Sequence, residues 1–346
     1  MNTPYNKPYY YCGDSQMVNP LPFNQFISEQ SGSSESLTSI LNDIVSACKQ
    51  ISYLVNKGDL NQLLGDADSE NIQGEVQKKL DIITHDIFVK ALINNPAVAG
   101  LASEENDDII PTQNQHDPKG KYLILFDPLD GSSNIDINMS VGSIFSILCC
   151  HNTNTLTETD FLQPGNQQIA AGFVLYGPST MMILTTGRGV NAFTLSPDSG
   201  EFILTHPNIT IAESTREFAI NMSNQRFWEA PVQQYINECV QGSDGPREKD
   251  FNMRWIASLV AEVYRILTRG GVFLYPQDNH KSLSGRLRLM YEANPIAFLI
   301  HQAGGDSSTG REPILNIQPR ELHQRVPLIL GAKQEVQRLI KYHRSA

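Results

Sequence analysis

Two aspartates stand three residues apart at the end of a continuously apolar run in the sequence. The run, residues 122–126, has the length and composition of a strand covered on both faces, and Asp127-Pro128 ends it abruptly. Pro128 stiffens the chain and Gly131 lets it turn, so the carboxylates of Asp127 and Asp130 can point at a common centre. Carboxylate oxygens held in a rigid turn suit Mg²⁺ or Mn²⁺. The spacing therefore predicts a divalent-metal site, with a turn carrying two solvated acids as the simpler alternative.

The residues inside and after this turn add groups that could bind phosphate. The carbonyl of Leu129 lies between the two aspartates and is a further oxygen ligand. Gly131 and Ser132 offer backbone amides and a hydroxyl, and the missing side chain of glycine lets a phosphate approach closely. We therefore expect metal ions and a phosphate group to meet at this turn.

Four more acids lie upstream in the chain. Glu104 and Glu105 follow an apolar segment at residues 97–102, and Glu75 and Asp81 lie at the start of the preceding helical pattern. Like charges gathered in one site repel each other and raise a pKa unless cations are present. Convergence of these acids with the turn would therefore imply bound metal.

A pair of arginines is the best candidate for holding an anionic substrate. In Arg286-Leu287-Arg288-Leu289 the alternation puts both arginines on one strand face. Planar guanidinium groups meet phosphate oxygens with two hydrogen bonds, so such a pair suits a phosphate. Glu292 follows where the strand pattern gives way to a helical one, which favours a ligand site over an edge strand with solvated charges.

The overall charge limits the classes of partner. The chain has 346 residues and a formal net charge of −11, with no basic cluster, which argues against nucleic-acid binding. A polyanionic substrate would then require local positive charge from bound cations or from a few placed arginines. Neither a signal peptide nor an apolar run of membrane-spanning length is evident, so we expect a soluble cytoplasmic protein.

Other common catalytic chemistries have no support in the sequence. The five cysteines are an odd number without metal-ligand spacing, which argues against a disulfide framework and favours reduced thiols. The eight histidines include no His-Glu-x-x-His pattern, and neither a nucleophile elbow nor a Walker loop is present. Zinc chemistry and nucleotide-triphosphate chemistry are therefore not expected.

Apolar periodicity predicts a mixed α/β architecture that would position these residues. Helices are predicted over residues 38–55, 75–93, 229–239, 255–267 and 294–301. Strands are predicted over residues 122–126, 143–150, 170–175, 181–185, 272–275 and 288–291. We divide the chain into an irregular N-terminal arm (1–36), a metal-binding α+β domain (37–200) and a C-terminal α/β substrate-binding domain (201–346).

The sequence resembles class I fructose-1,6-bisphosphatases of the bacterial type, within the lithium-sensitive phosphatase superfamily that shares the Asp-Pro-Leu-Asp-Gly-Ser loop. The resemblance covers about residues 37–335. Beyond the loop it rests on residues 78–81 (Lys-Lys-Leu-Asp), 103–105 (Ser-Glu-Glu), 176–177 (Tyr-Gly), 270–276 (Gly-Gly-Val-Phe-Leu-Tyr-Pro) and 287–295 (Leu-Arg-Leu-Met-Tyr-Glu-Ala-Asn-Pro).

The resemblance implies a layered α-β-α-β-α fold and a role for each matching residue. The implied ligands of two or three Mg²⁺ ions, with Mn²⁺ as an alternative, are Glu75, Glu104, Glu105, Asp127, the Leu129 carbonyl, Asp130 and Glu292. Asp81 and Glu105 would orient and deprotonate the attacking water. The implied substrate contacts are Asp130, Gly131, Ser132, Ser133, Asn221, Arg254, Trp255, Tyr275, Arg286 and Arg288. Arg254 would reach a neighbouring subunit's site in a homotetramer.

The implied activity is hydrolysis of the 1-phosphate of fructose 1,6-bisphosphate to fructose 6-phosphate, a gluconeogenic step. Because the acidic loop is shared across the superfamily, a sedoheptulose-bisphosphatase or an inositol-monophosphatase-like enzyme is an alternative. A non-catalytic sugar-phosphate sensor is a third reading, which intact Asp81 and Glu105 disfavour. The two arginines favour a substrate with two phosphates over one with a single phosphate.

The sequence also departs from the family pattern. Asn224, Trp255 and Arg286 stand where many members have tyrosine, tyrosine and lysine, a change that mostly retains charge and stacking. The family's site for the inhibitor AMP is matched at Thr38, Lys121 and Tyr122. Cys149, however, stands where an arginine would bind the nucleotide phosphate, which puts AMP control in question.

Overall fold

A computed structural model describes residues 21–30, 35–61, 66–70, 76–112, 121–151, 155–280 and 283–346. Its α-helices are α1 (Phe23–Gln30), α2 (Glu35–Lys57), α3 (Lys79–Leu92), α4 (Glu158–Phe161), α5 (Ala230–Gln241), α6 (Leu259–Arg269), α7 (Asn294–Gln302) and α8 (Lys333–Ser345). Its strands are β1 (Asp66–Glu70), β2 (Val76–Lys78), β3 (Val98–Ser103), β4 (Ile110–Pro111), β5 (Tyr122–Asp130), β6 (Val141–Cys149), β7 (Ala170–Tyr176), β8 (Thr180–Thr185), β9 (Asn191–Leu195), β10 (Phe202–His206), β11 (Glu217–Ala219), β12 (Asn252–Met253), β13 (Val272–Tyr275), β14 (Leu287–Arg288), β15 (Asp306–Ser308), β16 (Arg325–Val326) and β17 (Leu328–Gly331).

The larger sheet has eight strands in the order β10-β9-β8-β7-β6-β5-β3-β4. Its neighbours pair antiparallel except β3 and β5, which run parallel. Strand β5 lies inside the sheet and is buried from Leu123 to Asp130, as its unbroken apolar run predicts. The smaller sheet has five strands in the order β12-β11-β13-β17-β15.

Three apolar clusters stack the elements into five layers. One cluster joins α1, α2 and α3 to one face of the larger sheet. A second joins the other face of that sheet to α6 and α7 and then to the smaller sheet. A third joins the far face of the smaller sheet to α5 and α8. Because each sheet buries both faces against helices, the predicted α-β-α-β-α layering is confirmed.

Most predicted elements are present, and two predictions are wrong at the site itself. The predicted strand at residues 288–291 is only Leu287–Arg288, because Leu289–Ala293 forms a π-helical turn that continues into α7. A short, fully buried apolar run does not distinguish strand from helix, since neither face meets water. The helix predicted from residue 255 begins at Leu259, with Ser258 as its N-cap residue.

The helix predicted from residue 75 begins at Lys79, because residues 76–78 form β2. The carboxylate of Asp81 accepts a hydrogen bond from the amide of Lys78 and so defines the start of α3.

Within the described residues no helix is long and apolar enough to cross a lipid bilayer. The predicted domain division at residue 200 stays a prediction, and the middle apolar layer contains residues from both sides of it.

Candidate active site

Three carboxylates from distant parts of the chain meet at the end of β5. Asp127, Asp130 and Glu292 are all buried, and each offers an oxygen within 4.8 Å of the others. The aspartates belong to β5 and the glutamate to the π-helical turn before α7. Buried carboxylates this close repel one another strongly unless protons or cations lie among them.

The two aspartates converge because the chain between them leaves the regular strand register. The pairing of β5 with β6 shifts between Asp127 and Asp130. The amide of Leu129 donates a 3.0 Å hydrogen bond to Oδ1 of Asp127 and closes the turn locally. The amide of Val260, in the first turn of α6, donates a 3.2 Å hydrogen bond to Oδ2 of Asp130. A helix N-terminus favours a carboxylate, so α6 helps to hold Asp130 in place.

Burial and mutual repulsion raise the pKa of each carboxyl in this cluster. Burial, followed by the charge of Glu104, raises the pKa of Asp127 well above its usual value. The same two causes raise the pKa of Glu292 to about 8. Burial raises the pKa of Asp130 to about 7, although the amide of Val260 opposes the rise. Protons therefore occupy part of this cluster near neutral pH in the metal-free protein.

Arg288 contacts the acids at the end of β5, and its predicted contact with substrate stays a prediction. It is buried, and its guanidinium forms an ion pair with Glu104. Its backbone amide donates a 2.6 Å hydrogen bond to Oε2 of Glu292. The structure thus separates the two arginines that the sequence pattern put on one face. Arg286 lines the cavity that opens beside these acids, and Arg288 does not.

Asp81 is a buried acid beside Ser132. Its Oδ2 accepts a 2.7 Å hydrogen bond from the amide of Lys78, whereas Oδ1 has no hydrogen-bond partner among the residues that the structure describes. Burial raises the pKa of Asp81 to about 6, and the hydroxyl of Ser132 opposes the rise. A carboxylate with a raised pKa and an open oxygen is suited to accept a proton.

The remaining predicted acids are placed less completely. Glu105 is half-buried, and its amide donates a 3.3 Å hydrogen bond to Oγ of Ser103 at the end of β3. Glu104 lies in the charge environment of Asp127, Asp130 and Glu292. Glu75 lies outside the described residues, so its predicted role as a ligand stays a prediction.

A cavity of about 670 Å³ opens beside the acid cluster. Among the residues predicted to contact substrate or metal, it is lined by Asp130, Gly131, Ser133, Asn221, Trp255, Tyr275, Arg286 and Glu292. The guanidinium of Arg286 lies 5.9 Å from the centre of the Tyr275 ring, within the range of a cation–π contact. One cavity therefore joins acids at one end to aromatic and cationic groups that suit a phosphorylated ligand.

Gly131 is required where it stands in this wall. Its φ of +74° is a left-handed conformation that residues with side chains rarely adopt, and an added Cβ would lie 3.4 Å from the side-chain nitrogen Nδ2 of Asn134. Ser132 follows, half-buried, as the first residue of a 3₁₀ turn spanning Ser132–Ile137. The amide of Asn134 donates a 2.8 Å hydrogen bond to the carbonyl of Gly131 and closes this turn.

Eight residues that line the cavity were given no site role by sequence reasoning, among them Arg325, Ser258 and Phe273. Arg325 lines the cavity and lies in β16, where it pairs with Arg288 of β14. Ser258 and Phe273 also line it, from the start of α6 and from β13. Phe273 stands inside the quoted Gly-Gly-Val-Phe segment, a signal that could have found it. Arg325 offered none, because its two-residue strand carries no periodic pattern.

The residues predicted for contacts outside this cavity are accessible. Arg254 is exposed, with its amide hydrogen-bonded to the carbonyl of Phe218 at 2.8 Å and its Nε 3.6 Å from Glu217. Of the matched AMP-site residues, Thr38 is half-buried on α2, Lys121 is exposed and Tyr122 is half-buried on β5. Tyr122 pairs directly with Cys149 across the sheet. A cross-subunit role for Arg254 and an AMP site stay predictions.

The acid cluster fits divalent cations on three grounds. Every donor is a hard oxygen, the type that Mg²⁺ and Mn²⁺ prefer over soft ligands. The carboxylates are closer together than their charges allow without a proton or cation, as their raised pKa values indicate. A further buried carboxylate oxygen without a hydrogen-bond partner among the described residues, Oδ1 of Asp81, belongs to a residue whose pKa is also raised by the charge of Glu104.

Comparison with known proteins agrees with this geometry. The family model described as "Fructose-1-6-bisphosphatase, N-terminal domain" matches residues 23–207, and the model of the C-terminal domain matches residues 211–344. A "Fructose-1,6-bisphosphatase class 1" from Halorhodospira halophila is 57% identical over 311 residues, covering 88% of this chain and 92% of that protein. Its counterpart in Acinetobacter baumannii (strain SDF) is 56% identical over 325 residues, covering 93% and 99%.

A solved structure shows the same fold. The crystal structure of Leishmania major fructose-1,6-bisphosphatase in holo form is 34% identical, with a TM-score of 0.88, and the match covers 95% of this chain and 100% of that chain. The similarity therefore extends over both sheets and all three apolar clusters.

Proposed function

The chain belongs to the class I fructose-1,6-bisphosphatase family, and we propose that it hydrolyses the 1-phosphate of fructose 1,6-bisphosphate to fructose 6-phosphate and phosphate in gluconeogenesis. The observation that carries the proposal is a single cavity with buried acids at one end and Arg286 on its wall. That arrangement suits a substrate with a reacting phosphate at the acids and a second phosphate farther away.

We assign the acid cluster to two or three Mg²⁺ ions, with Mn²⁺ as an alternative, and family membership supports divalent-metal dependence. The residues that would hold them are Glu75, Glu104, Glu105, Asp127, the Leu129 carbonyl, Asp130 and Glu292. When bound, the cations supply positive charge that offsets the carboxylates and the phosphate oxygens and makes an attacking water easier to deprotonate. Local cations also explain how a chain with a net charge of −11 can accept a polyanion.

Asp81 and Glu105 orient the attacking water and remove its proton. Oδ1 of Asp81 is the acceptor that the geometry favours, because it is buried and open while Oδ2 is engaged with Lys78. With its pKa raised to about 6, this carboxyl remains ionised at neutral pH and is more basic than an ordinary aspartate. Fixed donors and acceptors also hold the water in line with the phosphorus atom.

The cavity wall divides the substrate between two groups of residues. The amides and hydroxyls of Gly131, Ser132 and Ser133 contact the transferred phosphate. Asn221, Trp255 and Tyr275 contact the sugar, and Arg286 pairs with the distal phosphate. Arg325 adds a second guanidinium to the same wall.

The test is phosphate release from fructose 1,6-bisphosphate and from fructose 1-phosphate, each with and without Mg²⁺. We expect Mg²⁺-dependent turnover that strongly favours the bisphosphate. Arg286→Met should raise KM for the bisphosphate by about tenfold or more, and leave KM for fructose 1-phosphate within about twofold, since loss of a charged hydrogen bond costs about 1.5–3 kcal/mol. Arg311→Met, which removes an exposed arginine paired with Glu229, is the control. Preference for a monophosphate, or turnover independent of metal, would refute the proposal.

Regulation and assembly are proposed by analogy with the family. We assign a homotetramer, with Arg254 reaching a neighbouring site, and a cytoplasmic location. AMP is proposed as an effector bound through Thr38, Lys121 and Tyr122, weakened by the absence of an arginine at Cys149. Cys149→Arg should then strengthen AMP inhibition by about tenfold, and an unchanged inhibition curve would argue against this site.

A further inference from the structure

A buried pair of hydroxyl groups lies against the turn between Asp127 and Asp130. Ser143 on β6 and Tyr176 on β7 are both buried, and their oxygens are 2.8 Å apart. The hydroxyl of Ser143 also donates a 2.7 Å hydrogen bond to the carbonyl of Pro128. Neither side chain lines the cavity beside the acids.

Ser143 stands opposite the irregularity that lets the two aspartates converge. Asp127 pairs with Ile144 and Asp130 pairs with Gly142, so Pro128 and Leu129 together face the single residue Ser143. Two residues against one form a β-bulge, in which the ladder hydrogen bonds are interrupted. The Ser143 hydroxyl provides a hydrogen bond to the Pro128 carbonyl within that interruption. A buried carbonyl without this partner would be costly.

The direction of these hydrogen bonds follows from counting hydrogens. A carbonyl only accepts, so the one hydroxyl hydrogen of Ser143 points at Pro128. Tyr176 must therefore donate its own hydrogen to Ser143. The Tyr176 hydroxyl also lies beside the thiol of Cys48 on α2. Burial raises the pKa of the Cys48 thiol to about 12, so no thiolate charge competes for the Tyr176 hydrogen.

We propose that Ser143, oriented by Tyr176, is a positioning residue that holds the Asp127–Asp130 bulge in its metal-binding shape. The inference rests on the proposed function, because it takes these aspartates to be metal ligands. Its consequence is that hydroxyl groups outside the cavity set the affinity of the cavity for divalent cations. Groups that hydrogen-bond around metal ligands commonly change metal affinity about 10- to 100-fold when they are removed.

The protein offers a matched control for general loosening. Ser52 on the same helix as Cys48 is hydrogen-bonded at 2.7 Å to Thr180 on β8, and this pair is also buried. Thr180 is the direct neighbour of Tyr176 across β7 and β8. Ser52→Ala therefore removes one hydroxyl of a buried hydrogen-bonded pair in the same region without touching the bulge.

The experiment is calorimetric titration of Mg²⁺, and separately Mn²⁺, into the metal-free full chain without substrate, with the thermal midpoint measured in parallel. We expect Ser143→Ala to raise the Mg²⁺ Kd about tenfold or more, and Ser143→Thr, which keeps the hydroxyl, to restore most of the affinity. Tyr176→Phe should raise Kd about threefold, because Ser143 keeps its bond to Pro128 but loses its orienting donor. Ser52→Ala should lower the thermal midpoint and leave Kd unchanged.

Each outcome separates the inference from the function on which it rests. If the wild-type chain binds no divalent cation, the proposed function fails. If the wild type binds and both Ser143→Ala and Tyr176→Phe bind equally well, the positioning role is refuted. Equal weakening by Ser52→Ala would also refute it, because general loosening would then account for the loss. If Ser143→Ala does not fold, Tyr176→Phe and Ser143→Thr decide the question.

Discussion

The amide of Ile256 donates a 2.6 Å hydrogen bond to Oε1 of the fully buried Glu262. Oε2 of Glu262 is held in turn by the guanidinium of Arg265. The bond ties α6 back onto the loop before it, where Trp255 lines the cavity and Ala257 takes a left-handed φ of 60°. Such a conformation is held only by its surroundings, so Glu262 fixes part of the cavity wall.

Glu262→Ala should therefore raise KM for fructose 1,6-bisphosphate about tenfold with a smaller change in kcat, because the loop loses its anchor while the acids remain. Glu262→Gln keeps an acceptor oxygen, so its KM should lie closer to that of the wild type. Glu335→Ala is the control, since Glu335 is also buried in an ion pair, but its hydrogen bonds come from Arg247 and Tyr235 and not from the loop before α6. It should destabilise the chain and leave KM alone, and a similar rise in KM there would contradict the role of Glu262.

Arg288→Met should destabilise the metal-free protein more than the metal-loaded protein. The change leaves Glu104 without its buried cation, and breaking such a pair costs about 3–5 kcal/mol. Mg²⁺ at the acid cluster should recover a large part of the loss by supplying positive charge. Urea unfolding in EDTA and in excess Mg²⁺ measures the free energy of unfolding of the metal-free and the metal-loaded protein. Arg311→Met, at an exposed pair, should cost less than about 1 kcal/mol under either condition.

The stability of the metal-free protein should fall as pH rises through neutrality. Folding raises the pKa of Asp130 from 3.8 to about 7 and that of Glu292 from 4.5 to about 8. The folded state therefore binds more protons than the unfolded state between these values, so this contribution is fully present below the unfolded pKa values and is lost as pH passes the folded ones. Thermal midpoints in EDTA should decrease from about pH 4 to about pH 8 and level off above that, as far as these groups determine them.

Divalent cations should reverse this trend, because they bind the deprotonated cluster and displace its protons. Mg²⁺ affinity should rise over the same pH range, and calorimetry in buffers of different ionisation enthalpy should detect proton release on binding. Glu292→Gln should reduce the number of protons released. Binding with no proton release at neutral pH would show that the cluster is already ionised.

Asp81→Asn should lower kcat about 100-fold or more while KM stays within about threefold, since a proton acceptor acts in the transition state and not in binding. With the pKa of Asp81 raised to about 6, the wild-type kcat should fall at acid pH as this carboxyl becomes protonated. This fall in kcat at acid pH should be absent in Asp81→Asn. Asp86 is an exposed aspartate on the same helix, and the control Asp86→Asn should change neither kcat nor its pH dependence. Near-normal turnover in Asp81→Asn would remove its assigned role.

The sequence by itself predicted a mixed α/β architecture and a divalent-metal site at the acidic turn, and its resemblance to a known family implied the layers. A run that is apolar at every position must be covered on both faces, so residues 122–126 indicated an interior strand. The composition of Asp127-Pro128-Leu129-Asp130-Gly131 favoured a hard cation, because every metal-ligand atom that the turn offers is an oxygen. Such local patterns indicate the type of secondary structure, and the chemical groups that it carries, over only a few neighbouring residues.

Only the tertiary structure decided which of these residues act together. Arg286 and Arg288 looked equivalent in an alternating pattern, yet a π-helical turn after Arg288 leaves one on the cavity wall and buries the other against Glu104. Arg325 and Ser143 carry no local signal, since each acquires its role from a chain segment far away in sequence. Contacts of this kind depend on sheet order and register, which are set by packing over the whole chain.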